Sequence, residues 1–177
     1  MGQASRIPVI TGVGESIDRP FAVVSAKEPL TLMAEAARAA DGDAGGGLLA
    51  RVDALDVVSL VSWRYADIAV SLAAKLGIAP RVSAYHEVGG ESPVRLVHEA
   101  ALRIARGESR VALVVGAEAQ HSAARAKREG EMPPWTPFAK DAPSPLRGGD
   151  IVHPLAMRHG LVTPTQVYPL FEMATAA

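Results

Sequence analysis

The sequence contains no cysteine. That absence excludes disulfides, thiolate metal sites and iron–sulfur clusters together, and with them any acyl chemistry carried on a sulfur of this chain. Aromatic residues are scarce, 5% of 177. The core therefore has to be filled by Ala, Val and Leu, which suits helices lying close on a sheet. Charge of one sign is missing too: 18 Lys and Arg stand against 19 Asp and Glu, a formal net charge of −1, with no acidic or basic block. A nucleic-acid partner, which needs a basic stripe, is not expected. No apolar run approaches the ~20 residues of a membrane-crossing helix. Met1 to Arg6 leads straight into a short apolar run without a signal-type segment, so a cytoplasmic location is expected.

What remains is a globular composition, 49% hydrophobic and 21% charged, in a chain long enough for one domain with a proper core. Short β-branched apolar runs alternate with helical patterns. Ile7–Val13 (IPVITGV), Leu55–Val61 (LDVVSLV), Val82–Val88 (VSAYHEV) and Val111–Ala117 (VALVVGA) read as four buried strands. Between them, Leu30, Met33, Ala34 and Ala37 share one face of a helix over 30–40, closed by Gly42 with Gly45-Gly46-Gly47. Asp67 is placed to cap a second helix that ends at Gly77. A third runs from Pro93 to Arg106, with Ser92 at the N-cap position, Arg95, Glu99 and Arg103 as a polar stripe, and Gly107 as its stop. Apolar strands alternating with helices predict an α/β fold with a mainly parallel sheet covered on both faces.

After Glu118 the character changes. Residues 119–164 carry Met132-Pro133-Pro134-Trp135-Thr136-Pro137, Pro143, Pro145 and Gly148-Gly149 with little periodicity, and a last helix is expected over 165–176. The division expected is a core over 1–118 and an excursion over 119–177 that looks truncated, since no closing strand follows it.

The chemistry-bearing segment is Tyr85-His86-Glu87-Val88-Gly89-Gly90-Glu91-Ser92-Pro93, where a strand feeds a helix N-terminus. Free amide N–H groups and the helix dipole favour negative charge there, and the same position lowers a cysteine pKa. At this point the chain resembles the N-terminal half of the thiolase superfamily, specifically its acetyl-CoA acetyltransferase-like members. The resemblance rests on Ile7 to Gly14, on Ala105-Arg106-Gly107-Glu108 and on Val114-Val115-Gly116-Ala117-Glu118. It implies a thiolase-like fold with strand order 3-2-1-4, residues 119–177 as part of a loop domain, and a coenzyme A thioester as ligand. Association as a homo-oligomer or with a partner subunit is implied as well, because the family's dimer contact uses the third strand and its turn. In the family the nucleophile lies in a Cys-x-Ser-Gly motif. Ungapped spacing sets Gly90-Glu91-Ser92-Pro93 over it, with Gly90 where the cysteine belongs. The chain thus resembles the thiolase-like subgroup that lacks the nucleophile, and acyl transfer by thiolysis or condensation is not expected.

Around Gly90 the candidate catalytic groups are His86 as general base, Glu87 as acid–base group and Ser92 as substitute nucleophile. Each has an ordinary alternative: a core or interface histidine, an interface charge, a helix cap. Gly89-Gly90 is either an enlarged pocket or a tight turn. Glu118 matches a family strand-end residue with a mainly structural role. For coenzyme A, Arg125, Lys127 and Arg128 offer cations to a phosphate, and Trp135 offers a stacking face or an anchor to the core, the second being favoured. Gly12-Val13-Gly14 lacks the third glycine of a dinucleotide fingerprint. Asp150, His153 and His159 lack the spacing of a metal-ligand pair, so no metal is expected.

Overall fold

The computed structural model describes residues 6–142 and 153–176. The chain divides into two compact units, Met1–Pro145 and Leu146–Ala177. The first holds a three-stranded parallel sheet of β1 (Ala54–Val57), β2 (Val82–Tyr85) and β3 (Ala112–Val115), in the order β2-β1-β3. Ala54 stands opposite both Val82 and Ala112, and Val57 opposite Tyr85 and Val115, so the strands are in step. Around the sheet run α1 (Pro29–Asp43), α2 (Ile68–Leu76), α3 (Ser92–Arg106) and α4 (Gln120–Glu129).

Local chemistry sets these boundaries. Pro29 opens α1, as its fixed φ allows. The Asp41 carboxylate gathers the N–H groups of Gly47, Leu48 and Leu49 just beyond the helix end, at 3.1, 2.6 and 2.9 Å. Asp67 caps α2 by accepting from the Val70 N–H at 2.9 Å, and Gly77 closes it in the left-handed region at φ 71°. Gly107 ends α3 in the same way at φ 76°. The main core joins Leu30, Met33 and Ala34 of α1, Leu55 and Val57 of β1, and Ile68, Ala69 and Leu72 of α2.

The sheet departs from expectation in one place. Ile7–Val13 is not a strand: it runs extended along α1, with Ile7, Val9, Ile10 and Val13 exposed. Its glycines decide this. A Cβ on Gly12 would stand 2.2 Å from the Ala40 carbonyl oxygen, and one on Gly14 2.2 Å from that of Ala36. Only hydrogen fits there, so backbone lies on backbone, and the Val13 N–H reaches the Asp43 carboxylate at 2.9 Å. The expected order 3-2-1-4 is corrected accordingly: β1 and β3 pair directly, and no first strand lies between them. The other expected strands form, each shortened to four residues.

Asp53 secures the start of β1. Its carboxylate accepts from the Ser109 hydroxyl and from the Arg110 N–H, the latter at 2.9 Å. Burial pushes the carboxyl pKa up, but the bonds from Ser109, Arg110 and Val111 outweigh it and hold the group below the usual carboxylate range. A depressed folded value means that its stabilisation is present above the unfolded pKa and is lost as pH falls through the folded one. Asp53→Asn is expected to cost about 1 kcal/mol at pH 7 and almost nothing at pH 2. Urea midpoints at the two pH values measure this; an equal loss at both refutes the account.

In the second unit, Pro164 opens α6 (Pro164–Thr175), close to the helix expected over 165–176, and Gln166 accepts from the Thr163 N–H at 2.8 Å. Preceding it is the short α5 (Pro154–Arg158), where His153 Nδ1 accepts from the Leu155 N–H. Among the described residues no helix is long and apolar enough to cross a membrane.

Candidate functional site

The turn between β2 and α3 brings the candidate groups together and shows what each is bonded to. Gly90 lies in the turn immediately before α3, and a Cβ added there would meet nothing within 4 Å among the described residues. The position that the resemblance gives to a nucleophile is thus open space. Ser92 is not the N-cap, contrary to expectation: Glu91 holds that position, and Ser92 is the first helical residue. Its side chain turns inward instead, 1% exposed, and its hydroxyl donates to the Glu87 carbonyl at 3.2 Å. That bond ties the turn to the helix and occupies the proton that a base would have to remove. Glu87 itself points outward, with no ion pair among the described residues.

His86 is bound from below. Its Nε2 donates to Asp56 Oδ1 at 2.8 Å, and the other oxygen of Asp56 pairs with the Arg103 guanidinium from α3. Asp56 is 2% exposed, in the middle of β1 on the face opposite Leu55 and Val57. A carboxylate buried this deeply requires compensation, and a histidine and an arginine supply it. Arg103 therefore leaves the polar stripe expected of it, while Arg95 and Glu99 keep theirs at 2.7 Å. The Arg103 Nε is buried without a partner among the described residues. Neither Asp56 nor Arg103 stood out as a site residue in the sequence. The available signal was the single charge inside the otherwise apolar run LDVVSLV.

The coenzyme A candidates fall into two groups. Arg125 is already engaged, donating to Glu129 and to the Phe21 carbonyl, each at 2.8 Å. Lys127 and Arg128, farther along α4, are exposed. Trp135 is an anchor: it packs with Ala26, Leu32 and Ala119, and its indole N–H donates to the Ala26 carbonyl at 2.7 Å. It meets Trp63 edge to face at 4.9 Å, and Trp63 meets Phe138 likewise at 5.2 Å, a cluster that sequence reasoning did not assemble. Glu118 bridges strand ends, accepting from the N–H groups of Val61 and Ser62 at 2.6 and 3.0 Å.

Gly12-Val13-Gly14 serves the close approach to α1 described above. Asp150 lies outside the described residues, and His153 is taken up by its own helix. Among the described residues no group of three or more His, Cys, Asp or Glu is arranged to hold a metal ion.

No family model and no curated protein matches the chain. Among solved structures, the monomeric SCP2-thiolase-like protein type 1 from Mycobacterium smegmatis is 32% identical over the matched part, with a TM-score of 0.53. The match covers 62% of this chain and 23% of that one, so the chain spans less than a quarter of its neighbour's length. The parallel α/β arrangement is part of a thiolase-like fold.

Proposed function

We propose, from the thiolase-like fold shared with that neighbour, that this chain handles acyl-CoA thioesters without forming a covalent acyl intermediate. The observation that carries the reading is Gly90: the turn at the α3 mouth has room for a side chain and presents none. With no cysteine anywhere in the chain, an acetyl-CoA acetyltransferase-like reaction by thiolysis or condensation is not expected of it. The chemistry left is non-covalent, such as retro-aldol cleavage or decarboxylation of a CoA thioester, which needs an oxyanion site and an acid–base group. Lys127 and Arg128 are the α4 cations available to a coenzyme A phosphate, and residues 119–177 are proposed as loop-domain elements.

A second reading is a non-catalytic acyl-CoA- or lipid-binding subunit. One observation favours it: His86 and Ser92, the groups best situated for chemistry, are both engaged in holding the turn. Association of such a subunit is supported by β2, an edge strand of the described sheet with Val82 and Tyr85 exposed.

Both readings predict saturable binding of acetoacetyl-CoA in a calorimetric titration, with no thiolysis on adding coenzyme A. Gly90→Cys introduces a single thiol into a chain that has no other. The unlabelled variant is expected to keep the binding, and the N-ethylmaleimide-labelled variant to lose it. Binding indifferent to the label, or no binding at all, overturns the placement of the ligand at Gly90. Turnover of a β-hydroxyacyl-CoA selects the enzyme; binding without turnover selects the subunit.

A further inference from the structure

The outward face of α3 is apolar. Ser92, Leu96 and Ala100 form the buried face of this helix, which packs on β3. At 3.6 residues per turn, Val94, Val97, Ala101 and Ala105 fall on the opposite side, with Leu102 beside them. Val94 is 76% exposed, Val97 43% and Leu102 37%. His98 is the one polar side chain in their midst. A helix that is apolar on both faces is built to be covered on both, and a contiguous exposed stripe of this kind marks an interface.

Charge selects what covers it. The helix carries Arg95, Glu99, Arg103 and Arg106, with Glu91 at its N-cap. Arg95 is paired with Glu99 at 2.7 Å, and Arg103 with Asp56. Glu91 and Arg106 remain, both exposed and neither in an ion pair among the described residues. The Glu91 carboxylate lies over Gly89 and, being exposed, can turn to a partner. The two residues flank the apolar face on one side at opposite ends, roughly 22 Å apart at about 1.5 Å per residue, and cannot meet within one helix. A second α3 running antiparallel satisfies both. A two-fold axis beside His98 sets Val94 against the partner's Leu102 and Ala105, and Glu91 against the partner's Arg106, each contact made twice. The helix dipoles then oppose each other, which is also favourable. Glu108 lies beyond Gly107, where the chain has left the helix. Unpaired charges of opposite sign at the two ends of one apolar face are self-complementary, which favours a copy of this chain over an unrelated partner.

We infer that two copies of this chain associate through their α3 helices, antiparallel about a two-fold axis. The surface is distinct from the β2 edge, and its assignment is independent of the acyl-CoA reading. Such a contact buries on the order of 1,000 Å² over both copies, the low end for a specific interface, so a weak, reversible dimer is expected.

Sedimentation equilibrium of the full chain over a concentration series should show that monomer–dimer exchange. Ala101→Glu puts a charge at the middle of the contact and should abolish it. Val70→Glu, at another exposed valine on α2, should leave it unchanged. Glu91→Arg and Arg106→Glu should each weaken association about tenfold, because attraction becomes repulsion at both ends of the contact. Mixed together, these two variants should form a heterodimer of the original strength, since each supplies the charge that the other now needs. A misfolded variant does not recover on mixing, so this arm separates association from stability. A chain that stays monomeric throughout the series, a dimer indifferent to Ala101→Glu or equally lost with Val70→Glu, or a mixture that stays apart overturns the assignment.

Discussion

Asp56→Ala is expected to cost about 3 kcal/mol of stability, lowering the melting temperature by roughly 10 °C. The substitution removes the one acceptor that Arg103 and His86 share beneath the sheet. Arg103 would keep its charge, already carries an unbonded Nε, and has no second carboxylate in bonding distance among the described residues. The figure sits at the lower end for a broken buried pair because the Arg103 side chain retains 22% exposure, and solvent screens part of the orphaned charge. Asp56→Ala combined with Arg103→Met should recover much of the loss, since removing both partners leaves no uncompensated ion. Urea denaturation of the single and double variants decides the point. A single-variant loss below about 1 kcal/mol, or a double variant worse than the single, means that the cluster does not hold the sheet to α3.

Trp135→Ala should be comparably damaging, at about 3–5 kcal/mol. The indole fills the space between Ala26, Leu32 and Ala119, and its N–H serves the Ala26 carbonyl, which would then be left without that donor. Trp135→Phe keeps most of the packing and loses the hydrogen bond, so a smaller cost of about 1–2 kcal/mol is expected. A stacking platform for a nucleotide would behave differently: Ala would weaken acyl-CoA affinity and leave the denaturation midpoint nearly unchanged. Measuring both quantities on one pair of variants separates an anchor from a platform.

These two residues also show how far the sequence could be read. Trp135 was legible as an anchor or a ligand contact, because a large aromatic among prolines has few other uses. Its partners Trp63 and Phe138 were not, being brought to it by the chain path and not by any spacing. His86 was legible as a residue at a strand end near a helix mouth. Its state was not, since that depends on Asp56 and Arg103, which lie 30 and 47 residues from the partners they bond. The helices were the clearest part. Asp67 with Gly77, and Pro93 with Gly107, mark start and stop chemically, and α2 and α3 end where those glycines adopt positive φ. Ile7–Val13 failed on both counts, since a short apolar run names no neighbour and Ile7, Val9, Ile10 and Val13 stay exposed. Gly12 and Gly14, which let it lie on α1, are individually as ordinary in a strand end as in a helix contact.

The in-step register of the sheet has a kinetic side. Ala54 pairs with Val82 and Ala112, so the ladders close spans of 28 and 58 residues, the differences of those numbers. Each doubling of a closed loop adds only about 0.6 kcal/mol of entropic cost, but neither ladder has a hairpin to nucleate it. On a ribosome β1 emerges with both edges bare and meets β2 first. The strand that completes its pairing follows 30 residues further along, the difference between Ala112 and Val82, so the nascent sheet passes through an interval with an open edge.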